Sequence, residues 1–351
     1  MAAGSWNDWT QGDIVTNAKF QDVQDSIVFI YASDSAANTA LTNKVEGTVY
    51  FNTTDDVLKF WDGSAWIGTG LASTTVESLV IAGGGGGGAN AGGGGGAGGY
   101  RNSYASETSG RNSSTESTLT LDTGTEYTVT VGAGGAGGVY LSTNIGSQGN
   151  DSVFSTVTSI GGGFGGSANV SGSGGTGGSG GGDGHSAGSG GSGTANQGFD
   201  GGDIGSNVQS GGGGGASADG QSNSTAGTGG NGLSSSITGS AVTRAGGGGG
   251  GGSGSGGGSN GGSGGGGAGG SGNAGAGSAG TANTGGGGGG GATGTTGGNG
   301  AAGGSGVVIL RYSTDFKLFG EAGLTFSTAV DGSSNVTTFT AGTGTIVLAE
   351  V

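Results

Sequence analysis

The residues that could do chemistry in this chain are few and scattered. It has a single histidine, His185, in the stretch GGDGHSAG, and no cysteine. Thiol catalysis, disulfides and cysteine-based metal sites are excluded, and one imidazole cannot build a histidine-cluster metal site. Ser179 sits in the pattern G-x-S-x-G at Gly177–Gly181. That pattern makes a nucleophile only on a strand–turn–helix to which a histidine and an acid are brought. Among 103 glycines it arises by chance. Asp200 and Asp203, in GFDGGDIG, resemble the acids of glycine-rich calcium repeats, but the nonapeptide does not recur and they read as solvated loop acids. Glu107, Glu116 and Glu126 show no sign of the paired carboxylates that glycoside hydrolysis needs. Matches to G-x-G-x-x-G open no helix, and residues 83–306 contain no lysine, so there is no P-loop. The sequence predicts a non-enzyme with no catalytic residue, no cofactor and no metal.

Charge narrows the partners. The net charge is −15, and only Arg101, Arg111 and Arg244 are basic between residues 83 and 306. Nucleic-acid binding needs clustered basic residues and is not expected. No apolar run approaches the ~18 residues of a membrane span, so no membrane insertion is expected. The start, MAAGSWNDW, has neither a basic nor an apolar signal region, which predicts synthesis in a cytoplasm.

The elements that would have to position any site fall into three parts. Residues 11–30 follow helical spacing at Ile14, Ala18, Val23 and Ile27, and 33–42 read as a short helical turn. GTVYFN, VLKFW and SAWIG then read as three strands with turns at TTDD and Asp62-Gly63, and Phe51, Phe60, Trp61 and Trp66 as their core. VESLVIA (76–82) and GVVILRY (306–312) are buried-strand patterns that bracket the glycine-rich region, and they are expected to lie side by side. Residues 117–132 read as a hairpin, with Leu119 and Leu121 on one arm and Tyr127, Val129 and Val131 on the other. The tail reads as two or three further strands. The expected fold class is mainly β with little helix. Its parts are a small α+β module over 1–75, a glycine-rich domain over 76–312 and a β-rich extension over 313–351.

Nearly all the glycines lie between 83 and 306, and the chain has no proline. A linker is indifferent to where its other residues fall. Here they often fall every third position: Ala133, Ala136 and Val139; Ser173, Thr176 and Ser179; Ala268, Ser271 and Ala274; Asn299, Ala302 and Ser305. Period three is the repeat of polyproline II, whose N–H and C=O groups point outward and must find partners when buried. Rods of polyglycine II packed side by side supply those partners. Rods with glycine on every face belong inside: Gly83–Gly88, Gly92–Gly96, Gly211–Gly215, Gly246–Gly252 and Gly285–Gly291. Gly-Gly-x rods belong at the rim, with x outward. The longer segments 100–116, 139–160, 194–210 and 216–245 are then expected at the ends of the bundle. Their candidate receptor-binding residues are Tyr100, Tyr104, Phe199, Asp200, Asp203, Ile204, Leu233 and Ile237.

Three stretches together resemble bacteriophage tail-fibre and fibre-tip (adhesin) virion proteins of marine-phage type. They are GDIVTNAKFQDVQD with ASDSAANTALTNKVEGTVYFNTTDDVLKFWDGSAWIG, then ESLVIAGGGGGG through YTVTVGAGG to GGSGVVILRY, and the β-rich tail. The resemblance implies a virion protein that recognises a host cell-surface receptor or glycan through loops at the end of the rods. It implies attachment to other virion or tail proteins through the N-terminal module, and a homotrimer. A purely structural virion component, an ice- or surface-binding protein and a glycan depolymerase are the rival expectations.

Overall fold

The structure is a computed structural model that describes residues 29–54, 57–68, 72–170, 172–185, 188–203, 210–222, 226–252 and 256–351. It divides at Leu71/Ala72 into two compact units. The described residues are mainly β, with one α-helix.

The first unit is small. Strand β1 (Phe29–Tyr31) leads into helix α1 (Asp34–Ala40), then β2 (Val49–Asn52), β3 (Val57–Trp61) and β4 (Trp66–Gly68). The sheet order is β1-β2-β3-β4, with β1 parallel to β2 and the other pairs antiparallel. Ser33 caps the helix by accepting from the Ala36 N–H at 3.2 Å, as a serine N-cap should. Asp62 accepts from the N–H groups of Ser64 and Ala65, and Gly63 takes a φ of +98° that favours glycine. The expected strands are all present. Tyr50, Trp66 and Ala37 form the core, whereas Phe60 lies 36% exposed on the other face. The helix expected over 11–30 lies outside the described residues, apart from Phe29 and Ile30, which belong to β1.

The second unit joins a β-sandwich to a glycine lattice. Its strands are β5 (Ser73–Ile81), β6 (Tyr100–Asn102), β7 (Leu119–Asp122), β8 (Glu126–Thr130), β9 (Ser152–Phe154), β10 (Val157–Ser159), β11 (Leu233–Ser235), β12 (Val242–Arg244), β13 (Val307–Ser313), β14 (Phe316–Gly320), β15 (Thr325–Asp331), β16 (Ser334–Ala341) and β17 (Thr343–Glu350). One sheet runs β15-β16-β13-β5-β6, with β7 also on β5; a second runs β10-β9-β8-β17-β14; and β11 pairs with β12 alone. The bracketing strands β5 and β13 do lie side by side, antiparallel, with Leu79 opposite Ile309. Their unbroken apolar runs follow from burial on both faces. Val76, Val80, Val308, Leu310 and Tyr312 point into the sandwich, against Phe154, Leu318, Ile346 and Leu348. Leu79, Ile81, Val307 and Ile309 point the other way, onto Ala97, Ala216, Ala245 and Ile237 at the rod ends.

Residues 117–132 are not a hairpin. β7 pairs with β5, while β8 pairs with β17 and β9 in the opposite sheet. Alternation fixed the strands but not their partners. Leu121 and Val129 face each other across the sandwich core, which rewards splitting the two arms between the sheets.

The glycine-rich region is a bundle of packed rods whose hydrogen bonds advance in steps of three residues. In the rod over 82–90, Gly84 and Gly87 donate to Gly304 and Ala301, Gly85 and Gly88 to Gly96 and Gly93, and Gly83 and Gly86 to Asn150 and Ser147. The carbonyls of the same rod accept from Gly162 and Gly165, from Gly135 and Gly138, and from Gly288 and Gly291. Six neighbouring segments therefore surround it. A Cβ on Gly85, Gly86 or Gly87 would overlap the carbonyl oxygen of Gly163, Ala136 or Gly289 respectively, one neighbour on each face. The run 285–291 is enclosed in the same way; it is parallel to 85–88 and 246–249 and antiparallel to 92–98. All five pure glycine runs are buried.

Two rim rods behave as the pattern predicts; elsewhere Ser173, Ala268 and Ser305 are only partly exposed, and Ala274 sits beyond its rod in a turn, at a φ of +65°. Ala133, Ala136 and Val139 are exposed while Gly132, Gly135 and Gly138 are buried. Asn299 and Ala302 likewise face outward. Ser179, expected outward with Ser173 and Thr176, is fully buried. Gly175 and Gly178 donate to Phe164 and Gly161, but Ser179 and Gly182 donate to Ala97 and Gly94. Gly181 donates to Gly175 of the same run, so the chain folds back at the bend over 178–179 and Ser179 begins an inner rod.

Candidate interaction surface

Loops gather at two ends of the bundle. The register of the rods tells the ends apart. β5 runs straight into the rod over 82–90, and Ala82, Gly85 and Gly88 donate to Gly99, Gly96 and Gly93. Residues 99–100 therefore lie at the sandwich, and the turn at 89–91 lies at the far end. A nine-residue rod separates them by about 28 Å.

Most of the candidate residues named from the sequence lie at the sandwich end. Tyr100 and Ile237 are fully buried in the seam between the sheet and the rod ends, so neither meets a receptor. Their large apolar bodies close the rods against the sheet, which is why the sequence spends them in a region of small residues. Burial, and secondarily the charge of Glu107, pushes the Tyr100 hydroxyl well above the usual tyrosine range. Leu233 packs half-buried on the same seam, and Tyr104 lies there beneath Arg311, whose guanidinium is 5.6 Å from its ring. Phe199 and Asp200 form a second group with Arg111. The Arg111 guanidinium holds Asp200 at 3.0 and 3.3 Å and lies 5.3 Å from the Phe199 ring. These hydrogen bonds, with one from the Gly193 N–H at 2.7 Å, hold the Asp200 carboxyl below its ordinary range. Asp203 is exposed and accepts from the Gly190 N–H, and Ile204 lies outside the described residues.

Nearby, an open cleft of about 760 Å³ is lined by Arg101, Asn112, Ser113, Glu116, Asn196 and neighbouring hydroxyl residues. Its one lining carboxylate, Glu116, is bound in a two-pronged ion pair with Arg101. Among the described residues, no group of three histidine, cysteine, aspartate or glutamate side chains could hold a metal ion.

The far end carries a different surface, one not singled out from the sequence. Leu141 there is 77% exposed, Val170 60% and Val139 47%. Leu141 also takes a φ of +59°, a left-handed conformation unusual for a bulky residue. Asparagines fix these turns together. Asn90 donates to Asn169 at 2.6 Å, and Asn169 donates to Asn144 at 2.9 Å. The same Asn144 side-chain oxygen accepts from the Leu141 N–H at 3.2 Å, and Asn299 accepts from the Tyr140 N–H at 2.8 Å. Asn90 and Asn144 are themselves left-handed, at φ of +53° and +55°, which asparagine tolerates. The Tyr140 ring lies over Gly297, where any Cβ would overlap it. The sequence signal for this apex was the break in triplet phasing at 139–145 together with the recurring asparagines.

A β-sandwich that closes one end of a polyglycine lattice and leaves asparagine-pinned turns at the other defines a glycine-rich rod-bundle protein. The family described as glycine-rich domain matches residues 62–313, and the chain belongs to it. No curated protein and no solved structure matches the chain.

Proposed function

We propose that this is a non-enzymatic virion fibre or fibre-tip protein that meets the host cell surface through the far end of its rod bundle. The observation that carries the proposal is Leu141, held in a left-handed conformation and 77% exposed beside Val170 and Val139. A bulky side chain held in a strained backbone conformation is a pointer to function, and here three aliphatic side chains are exposed at the same end of the bundle. The lattice behind it is stiff, because its rods are tied on all sides, and a rigid support is what a recognition surface needs. The resemblance of the terminal module and tail to phage fibres gives the context: the first unit attaches to other virion proteins, and the far end reaches a receptor or glycan.

The test is competition for adsorption. Purified protein added to host cells ahead of the parent phage should reduce phage adsorption, and L141D combined with V170D should remove that effect without lowering thermal stability. Protein that does not bind the cells leaves the structural role, in which the bundle is a stiff virion part without a receptor. Binding that survives L141D/V170D would place recognition elsewhere.

A further inference from the structure

Beyond receptor recognition, one arginine at the sandwich end of the rods is left without an acid. Arg101, Arg111 and Arg311 each hold a carboxylate, of Glu116, Asp200 and Asp331 respectively. Arg244 holds none among the described residues, in a chain with 23 acidic side chains to draw on. Its Nη1 is enclosed and makes no hydrogen bond, and neither does the hydroxyl of the fully buried Tyr100. A buried polar group without a partner is costly, and a buried charge more so. Strand pairing brings the two groups together. Arg244 in β12 lies directly opposite Leu233 in β11, on one face of the hairpin, and Leu233 packs on the apolar cluster that contains Tyr100. Ser235, two residues on from Leu233 and so on that same face, sets its hydroxyl beside that of Tyr100. The Ser235 oxygen accepts from the Ile237 N–H at 3.2 Å and keeps its own hydrogen to give. Burial pulls the Arg244 guanidinium below its ordinary range, and Tyr100 opposes that pull.

We propose that Arg244, Tyr100 and Ser235 form a binding site for the carboxylate of a small, singly charged ligand. All three side chains offer hydrogens, and together they carry one positive charge. Such a donor set takes an oxyanion, and the planar guanidinium matches a carboxylate in shape. A water accepts from the same groups but leaves the charge uncompensated. Glu107 selects for a single negative charge. Its oxygens are already bound, by the Ser236 N–H at 2.8 Å and the Asn102 amide at 3.1 Å, and its charge near Tyr100 opposes a dianion. The way in is past Arg244, which is half-buried beside the exposed Val242 and Thr243. The β11–β12 hairpin that forms this wall is joined to neither sheet, and an isolated two-stranded hairpin is the element that yields most easily.

Thermal unfolding of the full chain tests this, at neutral pH and constant ionic strength, with sodium acetate, sodium glucuronate or neutral glucose added. The Tm should rise with the concentration of a carboxylate, as binding to the folded state requires, and should not rise with glucose. A rise with acetate shows that any carboxylate enters, and a rise with glucuronate alone shows that the sugar ring contributes. Y100F should unfold at an unchanged temperature without ligand, because the hydroxyl has no partner to lose, and should weaken carboxylate binding about tenfold. R244M should unfold at the same or a higher temperature without ligand, because it removes an uncompensated charge, and should lose the response altogether. No rise with either carboxylate overturns the proposal and leaves these groups to water. A rise that R244M and Y100F both retain overturns it too, as a general effect of the salt. If R244M does not fold, Y100F reads the site alone. Failure of the adsorption test leaves this site untouched, so the two proposals stand or fall separately.

Discussion

At the level of single residues, the protein turns on where a Cβ fits. Gly87 sits in an inner rod, and a methyl there would overlap the Gly289 carbonyl. Neighbouring rods cannot yield without breaking their own hydrogen bonds. G87A should therefore cost about 2 kcal/mol or more, as overpacking does. G257A is the control. It is exposed, with nothing nearer than 4.0 Å, and should change stability by less than about 0.5 kcal/mol. Chemical denaturation of the two variants would compare them. Leu141 predicts the opposite sign: L141G should stabilise by about 1 kcal/mol, because glycine bears a φ of +59° without strain, while weakening cell binding. Titration gives a third expectation. Asp200 has its folded value depressed by Arg111, so its contribution is present above the ordinary carboxylate range and is lost as pH falls through the depressed value. The acid side of a stability–pH curve should be shallower in D200N than in the natural protein.

Among elements, β5 and β13 do most to organise the second unit, since each faces the sandwich on one side and the rod ends on the other. L310A removes a fully buried side chain from the sandwich and should cost about 2–5 kcal/mol, read from denaturant unfolding. These strands and the glycine rods were legible in the sequence, because unbroken apolar runs and period-three phasing are local signals. Partnership was not legible. Leu119 to Val131 alternates as a hairpin would, yet its arms go to different sheets, because pairing is decided by the core and not by the alternation. The site was the least legible. Tyr100 and Ile237 stood out as large residues among glycines, but being large is what buried them. Leu141 looked ordinary, and its left-handed backbone shows only in the fold.

For the whole molecule, the central claim is that a region with scarcely any large side chains forms a solid. Its order comes from backbone hydrogen bonds, each worth about 1 kcal/mol net, held in register between a sandwich at one end and asparagine-pinned turns at the other. A lattice of this kind should lose its order in one step with the sandwich, since the rod ends and the sheet share one apolar seam. Hydrogen–deuterium exchange of the intact protein tests this most directly. The account predicts strong protection at Gly83–Gly88, Gly246–Gly252 and Gly285–Gly291, with fast exchange in the exposed turn at 141–143. Fast exchange throughout the glycine runs, equal to that of the turn, would contradict it.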